Sequence, residues 1–239
     1  MHDRVIGGLA RAIPLSVQQQ FKMAGVYRLL HIFYDKYGAE LRFQREWAEE
    51  FKQNSTKVLE YWKEYRDLDR IIGHCQLTAN SRVLDVGCGI STVLHFVPGE
   101  RFGIDPLADE YLKLYDYPKE LTIQRSWGEE MPFRDEDFDV VFCSNVLDHV
   151  TSPERTLAEI HRVLKAEAYL VLTVEIFPDS TARDPAHPHA MTHARVEALL
   201  QGKFEIEFKR QAPWIGLRNY VNGSRTAQNQ EFIAVSQKL

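Results

Sequence analysis

From residue 82 onward, short apolar runs alternate with segments of helical periodicity, and no other feature constrains the fold as strongly. The apolar runs predict seven strands, near residues 82–86, 101–104, 121–124, 138–143, 169–175, 204–210 and 231–237. Ser152 and Pro153 predict the start of a helix, because serine caps a helix N-terminus and proline is tolerated in the first turn. This alternation predicts an α/β fold with a mostly parallel sheet and helices on both faces.

The first 75 residues follow a different pattern. Phe43, Trp47 and Phe51 recur every four residues, and later apolar residues continue at helical spacings. We therefore divide the chain into a helical cap, residues 1–75, and a domain, residues 76–239. Aromatic residues of the cap could line a pocket, although such stripes more often pack in a core. They are Tyr34, Tyr37, Trp47, Trp62 and Tyr65.

A glycine loop follows the first strand and carries an acid in an unusual place. Asp85 precedes Gly87 and Gly89, where the absence of a Cβ allows a sharp turn and close approach of a ligand. A dinucleotide site would have a third glycine at position 92, which is Thr92 here, and a pyrophosphate would be repelled by Asp85. The loop therefore favours a cationic cofactor, and S-adenosylmethionine fits. Ser91 is acceptable at the third small position if it caps the helix that follows.

A second acid follows the next strand. Asp105 comes 20 residues after Asp85, about the spacing expected between a first-strand loop and a carboxylate that binds a ribose. A glycine pair alone is common, and a single buried aspartate at a turn is often only a local cap. Together, the loop and the spaced acid indicate a nucleoside-containing cofactor.

Six motifs in order give the chain a family resemblance over roughly residues 76–175. It resembles the class I S-adenosylmethionine-dependent methyltransferases, within their type 11-like group. The motifs are Val83-Leu84-Asp85-Val86-Gly87-Cys88-Gly89, Gly103-Ile104-Asp105-Pro106, Glu129-Glu130-Met131-Pro132-Phe133, Phe138-Asp139-Val140-Val141, Asn145-Val146-Leu147-Asp148-His149-Val150 and Arg162-Val163-Leu164-Lys165. The resemblance implies a Rossmann-like sheet of seven strands, mostly parallel, closed by an antiparallel last strand.

The same resemblance implies S-adenosyl-L-methionine as cofactor and a role for each matching residue. The glycine loop is expected to contact the methionine part of the cofactor, and the second acid is expected to bind its ribose. The segment before Glu129 is expected to contact the adenine, and the end of the fourth strand provides further contacts. These cofactor-binding residues are Asp85, Gly87, Cys88, Gly89, Asp105, Pro106, Trp127, Gly128, Asn145 and Val146. Many relatives place a small acid at the position of Trp127, whose indole can only donate or stack. We therefore expect adenine to be bound by backbone groups and stacking.

Methyl transfer from a sulfonium mainly needs alignment, but a hydroxyl acceptor must also lose a proton to a general base. The acceptor pocket is expected near 145–149, 175–178 and 180–193, beyond the carboxyl ends of the strands. The catalytic candidates there are His189, His149 and Glu175, and we prefer His189 or His149 for an alcohol acceptor. Asp148 is a further candidate, although it could simply orient its loop.

Three histidines, His187, His189 and His193, cluster around two prolines and at first resemble metal ligands. A metal site would also need acids or cysteines at ligand spacing, and Asp184 alone gives little support. The sequence therefore indicates no metal site and favours roles in loop ordering, acceptor binding or proton removal.

The composition excludes several classes of protein. A net charge of −5 without a basic tract gives no electrostatic basis for binding nucleic acid, and the three cysteines have no metal-binding spacing and indicate a reduced, cytoplasmic protein. No run reaches the ~20 apolar residues of a membrane span, and the first residues lack the apolar core and cleavage site of a signal peptide, so we expect neither membrane insertion nor export. Residues 1–32 are basic and amphipathic, which permits contact with an anionic membrane surface, although a helix packed on its own domain is the commoner outcome.

Two functions remain open at this stage. The first is methyl transfer to a small molecule such as a sugar, a polysaccharide precursor or a natural-product intermediate, with O-methylation favoured. The motifs around Asp105 and Asp148 resemble methyltransferases of cell-surface carbohydrate pathways. The second is a catalytically inactive S-adenosylmethionine-binding protein with a regulatory or interaction role. The sequence gives neither the acceptor atom nor the oligomeric state.

Overall fold

A seven-stranded sheet forms the centre of the computed structural model, which describes residues 36–177, 187–224 and 229–239. The strands lie in the order β3-β2-β1-β4-β5-β7-β6. Their bounds are β1 Arg82–Val86, β2 Glu100–Asp105, β3 Leu121–Arg125, β4 Phe138–Ser144, β5 Leu164–Ile176, β6 Phe204–Pro213 and β7 Gln230–Lys238. β1 to β5 pair in parallel, whereas β7 is antiparallel to both β5 and β6. The predicted Rossmann-like sheet and its antiparallel last strand are confirmed.

Helices cover both faces of the sheet. They are α1 Lys36–Glu60, α2 Leu68–His74, α3 Ala108–Leu114, α4 Pro153–Val163, α5 His193–Leu200 and α6 Leu217–Val221, with a π-helical turn at Tyr61–Tyr65 and a 3₁₀ turn at Val93–His95. The predicted start of α4 is confirmed, because the Ser152 hydroxyl accepts the backbone N–H of Arg155 and Pro153 occupies the first turn.

Alternate residues along each strand serve two hydrophobic cores, as the two-residue period of a strand requires. On one face, Val83 packs in a core with Trp47 and Phe51 of α1. On the other face, Leu84 packs in a core with Leu157 of α4. The helical segment before β1 thus shares its core with the sheet, and its division from residues 76–239 as a domain stays a prediction.

The predicted membrane-surface contact of residues 1–32 lies outside the described residues. Among the helices of the described ranges, none has both the length and the apolar character to cross a bilayer.

The order of the sheet determines where a ligand can bind. β1 lies between β2 and β4, so the connections from β1 and from β3 run in opposite directions across the sheet. In such sheets ligands bind beyond the carboxyl ends of the strands at this switch point. Asp85 is in β1, Asp105 ends β2 and Asn145 directly follows β4, so all three lie at that edge.

β5 begins earlier than predicted, at Leu164 rather than near 169, directly after α4. The early part includes the Ala166-Glu167-Ala168 segment. Glu167 there adopts a left-handed backbone conformation with φ 58°, which costs a non-glycine residue about 1 kcal/mol or more.

Glu167→Gly is therefore expected to raise the free energy of unfolding by up to about 1 kcal/mol, because glycine adopts this conformation without a Cβ penalty. The Glu167 carbonyl, which accepts the side-chain N–H of Gln237, is kept in the variant. Urea denaturation measures the change. Equal or lower stability in the variant would show that the Glu167 backbone is not strained.

Candidate functional site

A cavity of about 690 Å³ opens at the carboxyl ends of β1, β2 and β4, where the switch point places it. Its wall includes all ten residues predicted to bind the cofactor: Asp85, Gly87, Cys88, Gly89, Asp105, Pro106, Trp127, Gly128, Asn145 and Val146. Of the three predicted catalytic residues, His149 and Glu175 line it as well, and His189 does not. The cofactor residues are thus together in space, and their individual roles stay predictions.

Asp85 is almost fully buried at the start of the glycine loop. Its Oδ2 accepts the hydroxyl of Thr92 at 2.6 Å, and its side chain lines the cavity. Burial raises the pKa of Asp85 to about 7, although the bond from Thr92 opposes the shift. A carboxylate so desolvated gains strongly from a cationic ligand.

Thr92 also caps the short 3₁₀ turn that follows, since its Oγ1 accepts the backbone N–H of Leu94 at 3.1 Å. The cap considered for Ser91 is therefore made by the next residue. Thr92 occupies the place of the third glycine in a dinucleotide loop, and its hydroxyl orients Asp85 instead.

The two loop glycines form a surface that a Cβ would fill. Gly87 has φ +69°, and a Cβ built there would lie 2.4 Å from Cγ2 of Val146. Gly89 has φ +52°, and its Cβ would lie 3.1 Å from Nε2 of Gln44. Both glycines also line the cavity, so the loop backbone there meets it without a side chain of its own.

Asp105 is held by backbone groups on both of its oxygens. Gly89 N–H donates to Oδ2 at 3.4 Å, and Leu107 N–H donates to Oδ1 at 2.9 Å. Burial raises the pKa of Asp105 to about 6, and these N–H donors limit the rise. Because each carboxylate oxygen has two lone pairs, Asp105 keeps acceptor capacity for a diol.

Helix α1 reaches the glycine loop, which sequence reasoning missed. Gln44 Oε1 accepts the backbone N–H of Ile90 at 3.3 Å, while Gln44 Nε2 donates to Glu40 at 2.9 Å. Gln44 and Glu40 both line the cavity. The sequence carried no signal for this contact, because a glutamine in a helix is ordinarily a surface residue.

Trp127 forms part of the cavity wall beyond the end of β3 and is 43% exposed. The guanidinium of Arg125 lies 5.2 Å from its ring centre. The neighbouring Gly128 packs closely against α4, where an added Cβ would lie 2.9 Å from Thr156 Cγ2. An aromatic face is thus available at the rim for a planar ligand group.

Asn145 occupies a strained backbone position at the end of β4. It is left-handed, with φ 58°, and its backbone N–H donates to the carbonyl of Thr173 at 2.8 Å. Its Oδ1 is buried and has no hydrogen-bond partner within the described ranges. A buried acceptor without a donor is costly, so Asn145 is suited to bind a donor group of a ligand.

Glu175 and His149 lie at the other end of the cavity, together with His187. Glu175 Oε1 accepts the side-chain N–H of Asn229 at 2.6 Å. Burial raises the pKa of Glu175 above its ordinary value, the bond from Asn229 lowers it and the nearby Asp148 raises it further. A carboxyl with a raised pKa is a suitable proton acceptor near neutral pH.

Neither of the roles predicted for His189, acceptor binding or acting as the base, receives support from its position. Its Nε2 lies 2.9 Å from the carbonyl oxygen of Val150, and its Nδ1 lies 3.5 Å from the Arg195 guanidinium. The first contact connects two loops, and the second connects the loop of His189 to α5. Within the same loop, His187 contributes to the cavity wall instead, with its ring centre 4.5 Å from that of His149.

A buried arginine, also missed by sequence reasoning, supports the acceptor end. Arg66 forms an ion pair of 2.7 Å with Glu231 and donates to Tyr61 and Thr173. Its guanidinium lies 5.7 Å from the ring centre of Trp214, another wall residue. No periodicity or motif marks Arg66, because its partners come from β5, β7 and the segment after β6.

One group of side chains has the composition of a metal site, whereas the sequence indicated none. Among the described residues, Asp148, His149 and His187 each offer a ligand atom, and these atoms lie within 4.8 Å of one another. In the sequence, Asp184 was the one acid considered near the histidines of residues 187–193; in the structure, the loop after β4 brings the carboxylate of Asp148 to His187.

Comparison with known proteins identifies the central segment. The family model described as "Methyltransferase domain" matches residues 84–172. The uncharacterised methyltransferase YcgJ of Bacillus subtilis is 27% identical over 155 residues, covering 57% of this chain and 61% of that protein. A ubiquinone biosynthesis O-methyltransferase of Azoarcus sp. is 38% identical over 98 residues, covering 38% of this chain and 42% of that protein. The chain thus spans less than two thirds of these relatives' lengths.

Solved structures share the fold. An S-adenosylmethionine-dependent methyltransferase from Methanosarcina mazei superposes with a TM-score of 0.54 at 22% identity, covering 70% of this chain and 97% of that one. The [4+2]-cyclase SpnF superposes with a TM-score of 0.56 at 19% identity, covering 72% of this chain and 80% of that one.

Proposed function

We propose that this chain, whose fold and methyltransferase domain are those of the class I S-adenosylmethionine-dependent methyltransferases, transfers a methyl group to a small-molecule acceptor. The observation that carries the proposal is the pair of buried carboxylates, Asp85 and Asp105, beside the open backbone of Gly87 and Gly89. The proposed acceptor is a sugar, a polysaccharide precursor or a natural-product intermediate, and O-methylation is favoured.

The residues present fit S-adenosyl-L-methionine. When bound, this cofactor supplies an electrophilic methyl group on a positively charged sulfur. Asp85 would accept from its ammonium group and Asp105 from its ribose hydroxyls, while Trp127 would stack on the adenine. Asn145 offers its unpaired Oδ1 to a further donor. The loop backbone between Gly87 and Gly89 would approach the ligand where side chains would clash.

The acceptor end can remove a proton from a hydroxyl group. His149 and Glu175 line the cavity, and either could act as the one base that this role requires, whereas His189 is engaged with Val150. Helix α1, its π-helical turn and the segment around Trp214 enclose this end. Exclusion of water by such a cover strengthens the polar contacts inside and holds the acceptor in line with the methyl group.

Two measurements, made one after the other, test the proposal. Calorimetric titration with S-adenosylmethionine should show one site, and a screen of hydroxyl-bearing small molecules with methyl-labelled cofactor should transfer label to at least one acceptor class. Glu175→Gln should bind cofactor normally but lose most of the transfer, and His189→Gln should retain it. Absence of cofactor binding by the folded protein would refute the proposal.

The second candidate function is a protein that binds S-adenosylmethionine without methylating anything. It is favoured by one observation, that SpnF, a cyclase, has this fold. The two candidates differ in the label screen, because only the enzyme produces a methylated acceptor and the demethylated cofactor.

Cofactor binding is expected to depend on pH. The pKa values of Asp85, about 7, and Asp105, about 6, are raised by burial, so both carboxyls gain protons in the ligand-free protein as the pH falls. Because the ligand requires the charged forms, lowering the pH from 7.5 to 5.5 should raise Kd by about tenfold or more. Titrations across this range measure it, and a constant Kd would contradict the assignment.

The same shifts have the opposite sign for the stability of the ligand-free protein. Each folded-state pKa lies above the ordinary value of 3.8, so the folded state binds more protons between the two values. Stability contributed by these groups is therefore present at low pH and is lost as the pH rises from about 4 through 7. As the pH rises over this range, the affinity for the cofactor should increase while the stability of the ligand-free protein decreases. These opposite trends allow an effect on binding to be told apart from an effect on folding.

A further inference from the structure

At the acceptor end of the cavity, two imidazoles of the wall, those of His149 and His187, lie beside the buried carboxylate of Asp148. Asp148 and His149 lie in the loop after β4, and His187 comes from the segment between β5 and α5. His149 Nε2 is 3.7 Å from Asp148 Oδ2, and the two imidazole ring centres are 4.5 Å apart. Three chain positions from two separate loops thus converge on one small volume.

Asp148 provides an independent indication that something binds in this volume. Its side chain is 0% exposed, and neither carboxylate oxygen has a hydrogen-bond partner within the ranges that the structure describes. A buried carboxylate is unfavourable unless a cation or several donors compensate for its lost hydration. The neighbouring His149, at 3.7 Å, is too distant for a hydrogen bond.

The donor set restricts the class of ligand. One carboxylate with two imidazoles suits divalent first-row transition metals such as Zn²⁺, Fe²⁺ and Co²⁺, whereas Mg²⁺ and Ca²⁺ prefer oxygen atoms alone. Metal–ligand bonds of about 2.0–2.2 Å place neighbouring ligand atoms roughly 3–4 Å apart. The 3.7 Å pair meets this spacing, and small side-chain rotations would bring the remaining atoms, now within 4.8 Å, to it.

We propose that Asp148, His149 and His187 bind a divalent transition-metal ion whose remaining coordination positions face the cavity and take a hydroxyl oxygen of the acceptor. The part concerning the acceptor rests on the proposed methyl transfer, whereas metal binding itself does not. With His149 engaged as a ligand, Glu175 is the base. The hydroxyl proton goes to the Glu175 carboxylate, the oxygen forms a bond to the methyl carbon, and the carbon–sulfur bond breaks to leave a neutral thioether.

The test uses the full chain, stripped of metal with a chelator and titrated with Co²⁺ at pH 8, where visible absorption reports coordination. We expect one equivalent to bind, with Zn²⁺ competing. Asp148→Asn and His187→Gln should each weaken Co²⁺ binding at least tenfold. His189→Gln is the matched control, because it removes an imidazole from the same loop outside the cavity, and its affinity should equal that of the wild type.

Stability measurements separate a ligand role from a structural one. Asp148→Asn removes the charge of a buried carboxylate that has no hydrogen-bond partner among the described residues, so the metal-free variant should melt at the same or a higher temperature than the metal-free wild type. Zn²⁺ should raise the Tm of the wild type and leave that of Asp148→Asn unchanged. A lower metal-free Tm together with an equal response to Zn²⁺ would overturn the proposal.

The other overturning results are absence of Co²⁺ binding by the wild type and equal losses in His187→Gln and His189→Gln. Cofactor titrations on the same samples keep the two proposals distinct. Wild-type protein that binds S-adenosylmethionine and methylates an acceptor equally well after chelation would refute the role of the metal toward the acceptor, whereas failure to bind Co²⁺ would refute the metal site itself. Protein that binds Co²⁺ as described but no S-adenosylmethionine would refute the proposed function alone.

Discussion

Asp85→Asn should weaken binding of S-adenosylmethionine by about 10- to 100-fold, the loss expected when a charged hydrogen bond worth roughly 1.5–3 kcal/mol is removed. The side chain is 4% exposed, so water cannot replace the carboxylate as a partner for the cofactor's ammonium group. Asparagine has nearly the same shape and retains an oxygen that can accept from Thr92. The change therefore acts mainly on charge. Isothermal titration at pH 7.5 measures it.

The matched control is Asp109→Asn, a change of the same type at an exposed position whose carboxylate pairs with Arg125 at 3.7 Å. Its cofactor affinity should equal that of the wild type. Ligand-free Asp85→Asn should be at least as stable as the wild type at pH 7.5, because burial opposes the charge of Asp85. Unchanged affinity in this variant would show that Asp85 does not contact the cofactor.

Gly87→Ala should lower the free energy of unfolding by about 2–5 kcal/mol. The backbone at φ +69° costs an alanine roughly 1–2 kcal/mol, and the new Cβ would lie 2.4 Å from Cγ2 of Val146, which adds an overpacking cost of about 1–3 kcal/mol. Urea denaturation measures the loss. The same Cβ fills part of the ligand-facing surface, so cofactor affinity should fall as well.

Alanine substitutions at two other glycines distinguish the cost of the left-handed backbone from the cost of the contact with Val146. Gly202 has φ +75° with nothing within 4 Å of an added Cβ, so Gly202→Ala should show only the backbone cost. Gly73 is helical and equally open, so Gly73→Ala should stabilise by up to about 1 kcal/mol. Adding Val146→Ala to Gly87→Ala should recover part of the loss. Equal losses at Gly87 and Gly202 would exclude the collision with Val146.

The strands were predictable from sequence because each combines a local apolar run with a turn signal. The main error was the start of β5, where charged Lys165 and Glu167 interrupt the apolar pattern. That segment joins the sheet through its backbone, and the left-handed Glu167 allows the chain to pass directly from α4 into β5. Propensity and periodicity contain no information about such a tertiary choice.

The two ends of the cavity differed in predictability for a physical reason. The cofactor end is built from short loops that directly follow strands, so the positions of Asp85, Asp105 and Asn145 could be inferred from strand order alone. The acceptor end is assembled from distant segments, and Arg66 and Trp214 meet there without any shared local pattern.

The segment that contains His187, His189 and His193 was also only partly predictable, because its contacts depend on the fold. Sequence reasoning recognised the group of three histidines but chose His189, whereas His187 reaches the cavity and His189 bonds to Val150. Near these histidines it considered only Asp184 as a carboxylate for a metal, because Asp148 lies 39 residues before His187 in the sequence. Only the fold brings the two together.

The bond between Gln44 and Ile90 has a consequence for affinity. Since helix α1 completes the wall around the glycine loop, the cofactor site is whole only in molecules whose α1 is docked, and the apparent affinity scales with that docked fraction. Arg218 of α6, which donates to Glu50 of α1, contributes to this equilibrium. The family model matches only residues 84–172, whereas Gln44, which contributes to the wall of the site, lies 40 residues before that segment. A fragment that began at residue 84 would therefore keep the matched sequence and lose part of the binding energy.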